Sequence, residues 1–200
     1  MTSRLAVLAI FALFTISTAQ TPLHKPTPPP SAKPSPDAQL YRNPAFNFRY
    51  QIPYGWVDRT KEMQEGNDAS KGEVLLAIFE RPPQAAGDTI NSAVVIASEK
   101  SAAYPRLKKA EDYLAPLTEL TTAKGFKLEG DVWEAEVGAQ HLVRADFSKA
   151  LNEKLNMHQS TLVLLAKGQI VTFTFIADTT DAVNDLIESL SFWPTKSKTK

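Results

Sequence analysis

The stretch KLEGDVWEAEVGAQHLVRADFSKALNEKLNMHQSTLVLLAKGQIVTFTFIA, residues 127–177, decides the fold. It divides into four extended segments, about 127–137, 140–148, 154–166 and 169–177, each set off by short polar or glycine-containing turns. The connections between them are too short for crossovers, because parallel neighbours need roughly a dozen or more linking residues. The four segments are therefore antiparallel neighbours, and Lys167-Gly168 marks a tight hairpin between the last two.

Downstream, a helix is predicted from about Asp181 to Leu190. Thr179 or Thr180 stands in the capping position, and Ala182, Val183, Leu186, Ile187 and Leu190 form its buried stripe. Upstream, Leu107, Ala110, Leu114, Leu117 and Leu120 recur at helical spacing over roughly Lys108 to Lys124, and Gly125 can end that helix. Pro116 falls inside it and predicts a kink or a split, since a proline in a helix interior costs about 3 kcal/mol. Further upstream, Val74 to Phe79 and Ala93 to Ala97 are apolar on both faces, as central strands are. Phe46, Phe48, Tyr50 and Ile52 alternate with Asn47, Arg49 and Gln51, the pattern of a half-buried strand that ends at the turn Pro53-Tyr-Gly55. The order β-β-β-α-β-β-β-β-α is α+β: an antiparallel β-sheet flanked by helices.

The opening segment Tyr41-Arg-Asn43-Pro-Ala-Phe46-Asn-Phe48-Arg-Tyr50-Gln-Ile52-Pro53-Tyr-Gly55-Trp56 resembles the first strand of PsbP-like domains. That superfamily also includes Ran-binding Mog proteins and bacterial envelope proteins of the DcrB type. The resemblance covers residues 41–193 in element order and implies an α/β/α sandwich, a central antiparallel sheet between helices. It implies a protein that docks onto a larger assembly rather than a catalyst, and it carries no partner-binding residue over to this chain.

The two ends of the chain read differently from its middle. Arg4 precedes the apolar run Leu5 to Ile16, and Ser17-Thr-Ala19 supplies the small residues of a cleavage site before Gln20. Residues 1–19 thus read as a signal peptide. The competing reading is a retained anchor, but spanning a bilayer takes roughly 20 apolar residues. Residues 20–40 hold seven of the chain's 14 prolines and read as an extended proline-rich linker, a spacer in preference to a ligand for proline-recognising modules; His24 within it has no assigned role. Residues 41–194 suffice for one domain burying about two-thirds of its unfolded surface. A basic tail follows at 195–200. The chain has no cysteine, so neither a disulfide nor a lipid-modified N-terminal cysteine is available. The setting expected from these features is export, periplasmic or extracellular.

Residues 41–194 carry 16 Lys and Arg against 21 Asp and Glu, a net of −5, while Lys196, Lys198 and Lys200 add +3 in the tail. An acidic domain without a basic stripe excludes a nucleic-acid partner, and no integral membrane segment follows the leader.

No zinc-protease, nucleophile-elbow or phosphate-loop motif occurs, and no cofactor-binding signature is present. His141 and His158 are the nearest approach to a metal pair. His141 shares parity with Val143, Ala145 and Phe147, whereas Leu155 and Met157 mark the inward parity of the next strand and send His158 outward with Asn156 and Ser160. Opposed residues on neighbouring strands share a face, so the two histidines are expected on opposite faces of the sheet. The acidic run Glu129, Asp131, Glu134, Glu136 lacks the turn glycine and spacing of a calcium loop and reads as a solvated strand face. No local signature supports a Ser-His-Asp site built on His141.

Trp56 is expected to plug the core beneath the turn. Tyr54, with Arg81-Pro-Pro83 and Tyr104-Pro105, is the nominated contact surface, on the ground that loops carry function on a rigid sheet. Two function classes follow: a non-catalytic binding or assembly module with a protein partner in the envelope, or a small-ligand carrier or hydrolase. The second requires a cleft of a few hundred Å³ between sheet and helix, with converging polar groups.

Overall fold

The computed structural model describes residues 39–65, 72–82 and 89–193. The expected signal peptide, the proline-rich linker up to Ala38, Pro83 and the basic tail lie outside the described residues. In chain order the elements are β1 (Leu40–Asn43), β2 (Phe48–Gln51), β3 (Val57–Asp58), α1 (Thr60–Glu65), β4 (Glu73–Phe79), β5 (Ala93–Lys100), α2 (Ala110–Ala123), β6 (Lys127–Val137), β7 (Gln140–Ala150), β8 (Asn156–Ala166), β9 (Gln169–Ala177), α3 (Thr180–Glu188) and β10 (Leu190–Phe192). The architecture is α+β.

A seven-stranded antiparallel sheet runs in the order β3-β4-β5-β9-β8-β7-β6. The meander β6 to β9 forms one side of it, with β6 at the edge, and joins the other side where β9 pairs with β5, from Ala93↔Ile176 to Lys100↔Gln169. The hairpin between β8 and β9 turns through Lys167 and Gly168, both with positive φ (53° and 74°), the conformation that matches the twist of a two-residue turn.

Each face of this sheet is covered. On one, Leu76, Ile78, Val94, Ile96, Leu162, Phe173 and Phe175 pack against α3 and a second, three-stranded sheet ordered β1-β2-β10. Phe48 meets Phe173 edge-on at 5.1 Å, and the Tyr50 hydroxyl donates to the Leu186 carbonyl at 3.1 Å, pinning β2 to α3. Burial pushes the Tyr50 phenol's pKa far above its ordinary value. On the other face, α2 covers Val143, Phe147, Met157, Val163 and Ile170, and Met63 of α1 covers Ala77, Phe79 and Val95.

Several expectations change here. The strand placed at Phe46 is a hairpin: β1 and β2 are separated by a turn at residues 44–47, where Asn47 takes φ 58°. Pro116 does not split α2, which runs unbroken from Ala110 to Ala123. Its start is fastened by the Asp112 carboxylate, which accepts from the backbone N–H of Lys108 (2.8 Å) and Lys109 (3.1 Å); those two donors lower its pKa. The last helix ends at Glu188, and Leu190 belongs instead to β10, paired with Tyr50. Thr179 is the cap of α3, its hydroxyl accepting from Ala182 N–H at 3.1 Å. Among the described residues no helix is long and apolar enough to cross a membrane.

Candidate functional site

Near one end of the sheet, β6, β7 and β8 carry polar residues on the face that α3 only partly roofs. Side chains two apart on a strand share a face, and the register sets Glu129 opposite Asp146, Asp146 opposite Ser160, and Ser148 opposite His158. These five form the floor of a cleft of about 410 Å³. Thr180 and Val183, from the start of α3, form its wall. The helix reaches this point because His158 pairs with Ala177, the last residue of β9, and the chain enters α3 three residues later, at Thr180.

The floor is hydrogen-bonded within itself. The Ser148 hydroxyl donates to Glu129 Oε1, and the Ser160 hydroxyl donates to Asp146 Oδ1. Asp146 also receives Arg144 Nε at 2.8 Å and the Trp133 indole N–H at 3.3 Å. The Arg144 guanidinium reaches on to Asn184 Oδ1 of α3 at 2.9 Å and lies 5.2 Å from the centre of the Trp133 ring. Arg144 therefore braces the cleft between sheet and helix. His158 Nδ1 stands 3.4 Å from Thr180 Oγ1. Both serines give their protons to carboxylates, so neither is paired with His158 as nucleophile with base. The arrangement suits holding a ligand by hydrogen bonds.

His141 and His158 do lie on opposite faces. His141 is exposed and 3.5 Å from Glu136, its cross-strand partner, whereas His158 faces the cleft. The expectation that His158, Asn156 and Ser160 point to solvent holds for Asn156, which is exposed, and needs correction for the other two: α3 stands over that part of the face, His158 is half-buried and Ser160 is fully buried. Of the acidic run, Glu129 turns into the cleft while Asp131, Glu134 and Glu136 remain exposed. Among the described residues no three His, Asp or Glu side chains are grouped to hold a metal.

The nominated contact surface is not assembled. Tyr54 is 82% exposed, and Trp56 is half-buried against the main core. Arg81 folds onto its own loop, donating to Thr89 Oγ1 at 2.7 Å and Thr89 O at 2.9 Å. Tyr104 is 7% exposed and belongs to the interior. Its hydroxyl donates to Glu99 Oε2 at 2.5 Å, and Tyr113 of α2 donates to Glu99 Oε1 at 2.7 Å. Burial, then the hydrogen bond to the Glu99 carboxylate, raises the Tyr104 pKa; burial with the charge of Glu99 raises that of Tyr113 further. Tyr54 and Arg81 sit near the Phe79 end of β4, and Tyr104 follows the opposite end of β5.

The sequence reading missed Trp133, Arg144 and Glu99. The signal for Glu99 was an acid inside an otherwise small or apolar strand, followed by tyrosines 5 and 14 residues on. For the cleft, it was the polar parity of Asp146 and Ser148 against that of His158 and Ser160.

This layering has a counterpart among solved structures. The solution structure of cyanobacterial PsbP from Synechocystis superposes with a TM-score of 0.50, covering 84% of this chain and 98% of that one at 16% identity. The fold is PsbP-like. Mog1p, a Ran-binding protein of Saccharomyces cerevisiae, is similar at TM-score 0.46 and 9% identity, covering 77% of this chain and 90% of its own. LpqN of Mycobacterium tuberculosis, involved in cell envelope biogenesis, is similar at 0.44 and 15% identity, covering 79% and 86%. No family model and no curated protein sequence matches the chain. Within the PsbP-like layers, the open cleft and the outer strand β6 are where this chain leaves polar and apolar groups unburied together.

Proposed function

We propose that the protein is an exported, non-catalytic binding module of the cell envelope that docks a protein partner along β6. The observation carrying this reading is the edge of the seven-stranded sheet. β6 is its terminal strand, 11 residues long, and no described strand pairs with its outer side. Such an edge offers unpaired backbone donors and acceptors to an added strand. It also carries three of the four exposed large hydrophobic residues found among the described residues, Leu128, Val132 and Trp133. Glu129, Asp131, Glu134 and Glu136 accompany Lys127 on the same strand. That negative row opposes self-pairing of two copies and favours a partner segment rich in lysine or arginine.

Export rests on the signal-like residues 1–19, and the bracing of a docking face off the membrane on the proline-rich residues 20–40. Tyr54, far from β6, is a secondary contact in this reading; Arg81 and Tyr104 are engaged within the fold.

The test is site-specific photocrosslinking in intact cells from position 132, with position 54 for comparison. The reading expects one reproducible adduct from position 132, lost in the Glu134→Lys variant and weakened by salt. Adducts that survive Glu134→Lys unchanged, or that form equally from position 54 alone, would contradict it.

A further inference from the structure

The outer side of β6 has a candidate occupant within the chain itself. Residues 194–200 read Pro-Thr-Lys-Ser-Lys-Thr-Lys, with Lys196, Lys198 and Lys200 at every second position and Ser197 and Thr199 between them. In an extended segment that spacing places the three ammonium groups on one face. β6 carries the complementary pattern: Glu134 and Glu136 are exposed, two apart, and share the face that bears Val143 and His141 of β7. Beyond His141, which stands 3.5 Å from Glu136, no cation reaches either carboxylate among the described residues. Lysines, and a proline at the start, are also what an edge strand accommodates.

The fold also brings the start of this segment to β6. Trp193 N–H donates to the Asn47 carbonyl at 3.1 Å, and Lys167 Nζ donates to the nearby Ala45 carbonyl at 2.5 Å. Trp193 is thereby held at the end of the main sheet where β8 turns into β9. The turn from β6 to β7 lies at that same end, since Val137 pairs with Gln140 at the start of β7, and β7 runs antiparallel to β8, which ends at Ala166. β10 itself lies against β6. The chain therefore leaves Trp193 beside the Val137 end of β6. A segment that reverses there runs back along the strand antiparallel, the pairing that a short connection allows. Five extended residues, Lys196 to Lys200, cover about 16 Å at about 3.3 Å each, which reaches from Glu136 past Glu134. So short a tether gives the segment an effective concentration of roughly millimolar order, an advantage over any free competitor of the same charge. We propose that residues 194–200 add to the outer side of β6 as an antiparallel strand, with Lys196 and Lys198 pairing with Glu136 and Glu134. This rests on the docking role of β6 given above and names its regulation: an incoming partner has to displace a segment of like charge.

Amide hydrogen exchange followed by NMR on the full chain, with no partner present, tests the contact. Between Val132 and Glu136, the alternate amides that point away from β7 are expected to exchange about tenfold more slowly than in the triple variant Lys196→Glu, Lys198→Glu, Lys200→Glu. Glu134→Lys together with Glu136→Lys is expected to lose the same protection. Combining those two with the triple variant should restore it, a rescue that mere disturbance of β6 would not give. Added salt weakens the protection, and dilution leaves it unchanged. Equal exchange in the native chain and the triple variant, or no rescue by the charge swap, would overturn the assignment. So would protection that falls on dilution, which would make the occupant the tail of a second copy. Photocrosslinking from position 132 needs a partner and this measurement does not. Absence of protection contradicts the tail contact alone, and absence of an adduct contradicts the partner alone.

Discussion

Two glutamates hold hydroxyl groups on opposite faces of the same sheet, and their surroundings differ in one respect. Glu99 is 3% exposed and accepts from Tyr104 and Tyr113, so it ties the end of β5 to the segment leading into α2 and to α2 itself. Glu129 accepts from Ser148 at the mouth of a cleft and is open to water. A buried carboxylate stripped of its donors has no solvent to turn to, so the first cluster contributes to stability. An exposed one exchanges protein for water at little cost, so the second is free to exchange water for a ligand. The same pair of chemical groups serves architecture when closed and recognition when open.

The largest expected effect tests the closed side. Tyr113→Ala removes a fully buried ring and one of the Glu99 donors, and urea unfolding should show a loss of about 4 kcal/mol. The matched change on the open side, Trp133→Ala, should cost less than about 1 kcal/mol. Comparable losses would erase the distinction.

A pH scan sharpens it further. Burial raises the pKa values of Tyr50, Tyr104 and Tyr113 in the folded state above the ordinary value near 10. A proton held more tightly by the folded than the unfolded chain makes that stability fully present below pH 10. It is lost as the pH rises above 10 towards the folded values. Phenolate absorbance is therefore expected to appear for these three tyrosines together with loss of circular dichroism. Ionisation of Tyr104 and Tyr113 ahead of unfolding would contradict the closed cluster.

A smaller effect concerns the cleft wall. Thr179→Ala removes the cap from α3 and should lower stability by about 1 kcal/mol in thermal or chemical unfolding. Because Thr180 follows directly, this substitution should also broaden the His158 ring signals in NMR, whereas the Tyr104 and Tyr113 signals stay fixed.

The legibility of the chain follows from how local its determinants are. β6 and β9 were readable to their end residues, because alternation over nine or more residues and the Lys167-Gly168 turn lie within the segments themselves. β10 was not. Its three residues are extended only because they pair with β2, about 140 positions away in sequence, and no local pattern announces such a partner. The same holds for β3, a two-residue strand set by β4. Tyr104-Pro105 looked like a surface loop by composition, yet a buried acid five residues earlier draws the phenol inward. Of the three residues that parity sends outward, Asn156 is exposed, whereas for His158 and Ser160 parity was right about the face but silent about α3 standing over it. That helix is held by Val183 and Leu186 packing into a core shared with Phe48 and Tyr50 of β2 and Phe173 and Phe175 of β9, which no window of sequence around β8 contains.

The most direct measurement of the contrast is urea unfolding of Glu99→Gln and Glu129→Gln side by side. The two substitutions are chemically identical, each replacing a carboxylate that accepts from a hydroxyl with a neutral amide. Glu99→Gln is expected to lose about 2 kcal/mol, the cost of presenting an N–H to a buried phenol, and Glu129→Gln less than about 0.5 kcal/mol. Equal losses, or a larger loss at Glu129, would show that the open cluster is as structural as the closed one and contradict the account.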